Sequence, residues 1–241
     1  ISTAICTRDD IMTYLIRMGL DSELSFTIME SVRKGKGVKP EWEEEMLAHD
    51  VPDWYIWSCK TIKYMFPKAH AAAYVMMAYR IAYCKVYYPL AYYAAYFSIR
   101  ASGFSYELMC LGREKLEVYL KDYKSRADSL SKKEQDVLKD MRLVQEMYAR
   151  GFEFLPIDLF KSHPNRFQIV DGKLLPSFNS IDGLGDNAAV AIAEAAKDGP
   201  FLSKDDFRER TKVSKTIVEL MSDLNLFGDI PESNQLSLFD F

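Results

Sequence analysis

From Trp54 to Tyr106 the chain runs for 53 residues without an Asp or a Glu. The same block carries six cations (Lys60, Lys63, Lys68, Arg80, Lys85 and Arg100) and 16 of the chain's 32 aromatic residues. Its prolines and glycines are confined to Pro67, Pro89 and Gly103. Proline suits the first turn of a helix, where its missing N–H costs nothing, and is excluded from the interior. The block is therefore expected to form a long helix from Ala69 to Tyr88, entered at Pro67 and stopped before Pro89. A second helix, Leu90 to Ile99, is expected to end near Gly103.

Over all 241 residues the formal charge is −4, from 31 Lys and Arg against 35 Asp and Glu. Taken as a mean, this argues against nucleic acid, because phosphate attraction is carried by clustered cations. The basic aromatic block shows that the mean averages over unlike parts. A hydrophobic fraction of 49% provides for one large or two small cores and excludes wholesale disorder. Cys6, Cys59, Cys84 and Cys110 are widely spaced and only three His are present, so neither a zinc site nor a disulfide framework is expected. Reduced thiols in the cytoplasm are the simple reading. The longest run free of charge, Val86 to Ile99, contains Pro89 and is shorter than a bilayer span, so no membrane segment is expected. The chain starts Ile-Ser-Thr with no signal-peptide pattern, and is expected to be a piece of a longer polypeptide.

Helical periodicity covers Arg8 to Met18, Ser22 to Arg33, Glu41 to Pro52, Leu111 to Tyr123 and Ser131 to Arg150. Ser131 followed by Glu134 is a capping box. After Gly151 the composition changes, and Asp171-Gly172 between Arg166 to Val170 and Lys173 to Leu175 signals a small hairpin. Helices resume over Ala188 to Lys197, Ser203 to Arg210 and Ser214 to Asn225, and the last eleven residues, Pro231 to Phe241, read as a tail. The fold class is mainly α, with a boundary near Gly151.

Four segments carry candidate chemistry. Gly183-Leu184-Gly185 precedes a helix, and two glycines permit a tight turn whose backbone N–H groups can hold a phosphate at the helix N-terminus. With Ile181, Ala188 and Ile192 it is similar to the helix-hairpin-helix DNA-binding motif; a plain helix connection with a glycine C-cap is the competing reading. Asp182 and Asp186 flank the turn and would repel phosphate unless a cation intervened. In the tail, Gln235-Leu236-Ser237-Leu238-Phe239 offers an amide and apolar anchors to a pocket and resembles the pentapeptide with which bacterial proteins bind the replicative sliding clamp. The competing reading is a terminus packed on its own domain. Arg33-Lys34-Gly35-Lys36-Gly37 reads first as a mobile solvated loop and second as a phosphate contact. On the long helix His70 and Tyr74 share one face, and Met76 and Arg80 another. Lys68 at the helix start beside a stacking Tyr suits a nucleoside triphosphate or a stacked base. Tyr79, Tyr83, Tyr87 and Tyr92 are expected mostly to pack in the core or on the surface.

Cys6 to Ile16, Ile28 to Gly37, Phe66 to Tyr74 and Gln235 to Phe239 together, in this order, resemble the C-terminal portion of the PolC family of bacterial replicative DNA polymerases. The resemblance covers essentially the whole chain. It implies a helical fingers-type domain over 1–150, a small helix-hairpin-helix-containing duplex-binding domain with a short β-hairpin over 151–230, and a clamp-binding tail over 231–241. It further implies that Lys68, His70, Tyr74, Arg80 and Arg8 contact the incoming deoxynucleoside triphosphate or the template, and that Gly183, Leu184 and Gly185 grip the product duplex. Arg33, Lys34 and Lys36 become backbone contacts, and Gln235, Leu236, Ser237, Leu238 and Phe239 bind the clamp beside other replisome proteins. Asp240 and Phe241 follow the pentapeptide, a departure from a motif at the terminus. Members of the family transfer nucleotidyl groups with Mg²⁺ held by palm carboxylates. On this resemblance those acids lie upstream of Ile1, so the chain holds no catalytic residue, metal or cofactor and is expected to be inactive alone. Two other readings are a free-standing DNA-binding adaptor that docks on the clamp and a helical scaffold with no DNA affinity.

Overall fold

The computed structural model describes residues 4–233, and backbone contacts divide the chain into two units, 1–82 and 83–241. In the first, α1 (Arg8–Arg17) starts from a capping box in which Thr7 and Asp10 satisfy each other's backbone donors. α2 (Ser22–Arg33) starts from Asp21, whose carboxylate accepts the Glu23 and Leu24 N–H groups. α3 (Pro40–Ala48) places Pro40 in its first turn, and α4 (Asp53–Thr61) follows. The apolar stripes of these four helices meet in one core around Ile11, Leu15, Ile28, Val32, Met46, Tyr55 and Cys59. Burial pushes the Cys59 thiol up to about 12, so it stays protonated and serves as a small apolar side chain.

The long helix expected from Pro67 is α5 (Lys68–Tyr87), and the division between the units falls inside it. No residue of α5 is buried. Tyr79, Tyr83 and Tyr87 lie exposed, Tyr79 by 76%, and the Tyr83 and Tyr87 rings meet at 4.5 Å, so of the two expected placements, core or surface, these three rings take the surface. The physical reason is that Ala, Met, Tyr and Val surround the helix instead of forming one stripe, so no single face is selected for the core.

The second unit begins with α6 (Pro89–Ile99), α7 (Tyr106–Met109), α8 (Arg113–Ser125) and α9 (Lys132–Ala149). The helix expected from Leu111 starts at Arg113, because Gly112 at φ +103° interrupts the chain and a separate short helix capped by Ser105 precedes it. Ser131 and Glu134 make the expected capping box of α9. Tyr93, Phe97, Met109, Leu116, Leu120, Met141 and Val144 form the core of this part.

The expected hairpin is β1 (Gln168–Val170) paired antiparallel with β2 (Lys173–Leu175), with Ile169 opposite Leu174. Asp171 and Gly172 turn at φ +50° and +75°, the sign both central residues of a type I′ turn require. A 3₁₀ turn, Phe178–Ser180, leads to α10 (Asp186–Lys197), α11 (Lys204–Thr211) and α12 (Lys215–Asp223). These pack around Phe178, Ile181, Ile192, Phe207, Val218 and Met221. The C-terminal end of α10 is closed from outside: the Arg210 guanidinium donates to the Ala195, Gly199 and Pro200 carbonyls and lies over the Phe201 ring. The chain is thus mainly α with one short antiparallel hairpin and a helix-hairpin-helix region, and none of its described helices is long and apolar enough to cross a membrane.

Candidate nucleic-acid interface

In the second unit the glycine turn stands directly before α10. Gly183 takes φ +80°, and a Cβ there would touch Ile217 Cδ1 of α12 at 3.6 Å, so α12 supports the turn from beneath. Leu184 is buried and its N–H donates to the Ile181 carbonyl, which anchors the turn to the core. Gly185 caps α10 without a side-chain acceptor, and the space where its Cβ would stand is empty to 4 Å. Among the described residues, the first N–H groups of α10, at Asp186, Asn187 and Ala188, therefore have neither a helical carbonyl nor a capping side chain. The two flanking acids are engaged: Ser105 donates to Asp182, and Asn179 Nδ2 donates to Asp186 Oδ1 at 2.9 Å.

In the first unit the starts of α1 and α5 lie together. The Arg8 N–H donates to the Phe66 carbonyl at 3.1 Å, and the Lys68 N–H donates to Asp9 Oδ2 at 2.6 Å. Burial alone would raise the Asp10 carboxyl, but hydrogen bonds from Thr7 and Cys6, with the Lys68 charge, hold it below the ordinary value. The exposed Lys68 ammonium makes no ion pair among the described residues. Beside it stands a column of rings: Phe66 stacks on His70 at 4.4 Å and 9°, and His70 meets Tyr74 at 4.4 Å. Tyr64 closes edge-on against Phe66 at 4.9 Å. Tyr64, Phe66 and Tyr74 are all exposed, so the column presents ring faces to whatever approaches the head of α5. Arg80 is twelve residues further along α5, roughly 18 Å from Lys68 at the helical rise, so the structure does not bring these two together.

Arg8 turns instead to Glu30, which also receives Arg33 and Lys34, at 3.3, 2.5 and 3.0 Å. Hydrogen bonds from Arg33 and Lys34 pull the Glu30 carboxyl down to about 2. Arg8 Nε is buried without a hydrogen-bond partner. The loop that follows is pinned, contrary to the expectation of a mobile turn. Gly35 and Lys36 donate to the Val32 and Ser31 carbonyls, the Ser31 hydroxyl donates to the Gly37 carbonyl, and Met65 N–H donates to the Arg33 carbonyl. Gly35, at φ +73°, lies so close to Lys63 that a Cβ would fall 2.3 Å from its carbonyl oxygen. Of the three loop cations Lys36 alone makes no ion pair among the described residues.

Because Glu30 is lowered in the folded state, its contribution is present above pH 4.5 and lost as pH falls towards 2. Thermal melts across that window are expected to show a loss of about 1 kcal/mol, small because the group stays within reach of solvent. Glu30→Gln should remove this slope; an unchanged slope would mean that the three cations do not depend on the carboxylate.

Sequence reasoning passed over the second turn between helices, α11–Lys212–Val213–Ser214–α12, in which Lys212 adopts φ +60° and Val213 is buried. Its one local signal was Ser214, the N-cap of α12, since nothing in Thr-Lys-Val marks a left-handed residue. The clamp-motif residues Gln235 to Phe239 lie outside the described residues.

A helix-hairpin-helix motif family matches residues 151–236, which contain the Gly183–Gly185 turn and the helices on either side of α11. Along nearly its whole length the chain is similar to proteins described as DNA polymerase III PolC-type. It is 52% identical over 99% of its length to that of Bacillus cereus, and 52% identical over 99% to that of Bacillus subtilis. With that of Caldanaerobacter subterraneus it shares 50% over 98%. The chain spans 17% of the length of these relatives.

Proposed function

We propose that this chain is the C-terminal portion of a PolC-type replicative DNA polymerase, acting in the cytoplasm. Residues 1–150 would serve as fingers, 151–230 would hold product duplex and 231–241 would bind the sliding clamp. The observation that carries the reading is the 52% identity extending over 99% of the chain. The geometry supports it with an unpaired Lys68 ammonium for triphosphate oxygens and, beside it, His70 and Tyr74 in an exposed ring column for stacking near the nascent base pair. Arg80 and Arg8 are further nucleotide or template contacts in this reading. Lys36 offers an unshared charge to the backbone, while Arg33 and Lys34 would have to leave Glu30. Gly183, Leu184 and Gly185 would grip duplex phosphates through the open N-terminus of α10. A helix apolar on all sides, such as α5, suits a position covered by further protein on more than one side.

The residues present do not fit a two-metal centre, since no cluster of three His, Cys, Asp or Glu side chains occurs among those described. Mg²⁺ belongs, in this reading, to carboxylates of the whole polymerase outside this chain, and its chemistry would be supplied there. The chain alone is expected to extend no primer, whereas the same chain within a polypeptide continued upstream should do so. In that longer protein Lys68→Ala is expected to raise the KM for nucleotide about fivefold with a smaller change in kcat, read by primer extension. An unchanged KM would remove Lys68 from the nucleotide site, and a longer protein without polymerase activity would overturn the assignment.

A further inference from the structure

Outside the hairpin and the head of α5, the second unit carries an open groove of about 550 Å³ between α6 and α9, large enough for a nucleotide-sized group. Tyr92 and Tyr96, one turn apart on α6, line one wall with ring centroids 6.2 Å apart. Lys139 and Arg142 of α9 line the other. Both cations are exposed, and neither makes an ion pair among the described residues. Glu146, the one acidic residue of the lining, is already engaged: it accepts Lys85 Nζ at 2.6 Å and the Tyr93 hydroxyl at 3.2 Å, and lies 3.8 Å from Arg150. Arg150 in turn donates to the Tyr93 hydroxyl and to the Lys85 carbonyl, so the end of the groove is cross-braced. Lys85 Nζ also lies 5.3 Å from the Tyr92 ring centre, which adds a cation beside the first ring.

Cations that make no ion pair among the described residues, Lys139 with the Tyr96 hydroxyl beside it, stand with tyrosine rings about an open groove and match an anion that also carries flat apolar faces. The geometry points to single-stranded DNA in the α6–α9 groove, with unpaired bases stacked on Tyr92 and Tyr96 and phosphates held by Lys139 and Arg142. Duplex does not suit the site, because its base faces are covered by neighbouring pairs and only phosphates would be left to bind. The inference deepens the polymerase reading and rests on it, since a strand with unpaired bases is what a template presents beyond its duplex.

The test compares a labelled oligothymidylate with a blunt duplex, both titrated by fluorescence anisotropy against the full chain. Lys139→Ala with Arg142→Ala alters exposed side chains that make no ion pair among the described residues and should spare the fold, checked by circular dichroism. This double variant is expected to bind the single strand about tenfold more weakly. The slope of log affinity against log salt should fall by about 1.4, twice the ~0.7 contributed by each phosphate on a single strand. Duplex affinity should stay within about twofold. Tyr92→Phe keeps a stacking ring and should bind like the parent, whereas Tyr92→Leu should weaken the single strand about fivefold. Single-strand binding untouched by these changes, or an equal loss for single strand and duplex, would overturn the groove. Binding of duplex without single strand would sink the groove and leave the hairpin reading standing; binding of neither would remove both. Capture of an acidic helical peptide in place of the oligonucleotide, with the same sensitivity to Lys139 and Arg142, would assign the groove to a protein partner and overturn the proposal.

Discussion

Gly103→Ala is expected to lower the melting temperature of the second unit by about 6–12 °C, a loss of about 3 kcal/mol. The α-carbon of Gly103 is pressed against α9, where a methyl group would stand 2.4 Å from Val137 N, 2.7 Å from Asp136 C and 2.8 Å from Val137 Cα. All three are backbone atoms of a continuous helix and cannot swing aside. The approach is held by a hydrogen bond from Gly103 N–H to Asp140 Oδ2 at 2.9 Å, with Asp140 itself buried. Phe104 follows directly and sits among Phe97, Phe154 and Phe167, at ring distances of 5.0, 6.0 and 4.9 Å. Moving Gly103 outward therefore drags a ring out of the cluster as well. Thermal unfolding followed by circular dichroism measures the shift, and a change below about 2 °C would show that the segment between α6 and α7 is not held to α9 by this contact.

The same contact makes a pH argument with the opposite sign to Glu30. Burial raises the Asp140 carboxyl, and the Gly103 N–H only partly offsets it. A carboxyl raised in the folded state favours folding while it is protonated, and that advantage is lost as pH rises from the ordinary value of 3.8 through the raised one. Asp140→Asn retains an acceptor for Gly103 and sheds the buried charge, so its cost should be small at neutral pH. Asp140→Ala strands the N–H and should be clearly worse.

What was legible in the sequence follows from how local each cause is. Ser131 with Glu134 and Asp171 with Gly172 each define a turn within four residues, and both appear where their side chains require. Pro67 and Pro89 bracket α5 for the same reason: the effect of proline reaches one helical turn. The Glu30 cluster was illegible because Arg8 reaches it across 22 residues, and its formation explains why two cations of the glycine loop are already paired. Gly103 reads in sequence as a helix stop; that its lack of a side chain admits α9 depends on a helix more than thirty residues away. For α5 the helix was legible and the placement of its tyrosines was left between core and surface: spacing alone does not choose, and no residue of that helix is buried.

The functional counterpart is Gly185→Asp, for which folding and DNA binding should respond in opposite directions. Gly185 stands at the N-cap of α10 with φ −73° and ψ 161°, a conformation open to any L-residue, and the space its side chain would enter is empty. Aspartate is among the preferred N-cap residues, and a negative charge there faces the positive end of the helix dipole. The variant should melt at or slightly above the parent temperature. Its carboxylate would, however, take the N–H groups of α10 that a DNA phosphate needs and repel that phosphate besides. Two hydrogen bonds to a charged acceptor at about 1.5 kcal/mol each amount to roughly 3 kcal/mol, or about a hundredfold in duplex affinity. Anisotropy titrations with duplex at fixed salt measure it directly. Since the variant is at least as stable as the parent, weak binding cannot be ascribed to unfolding. Duplex affinity unchanged in Gly185→Asp would mean that the turn only connects two helices and that phosphate is held elsewhere on the chain. Single-strand affinity in the α6–α9 groove should be unaffected by this change, which separates the two sites by one substitution in each.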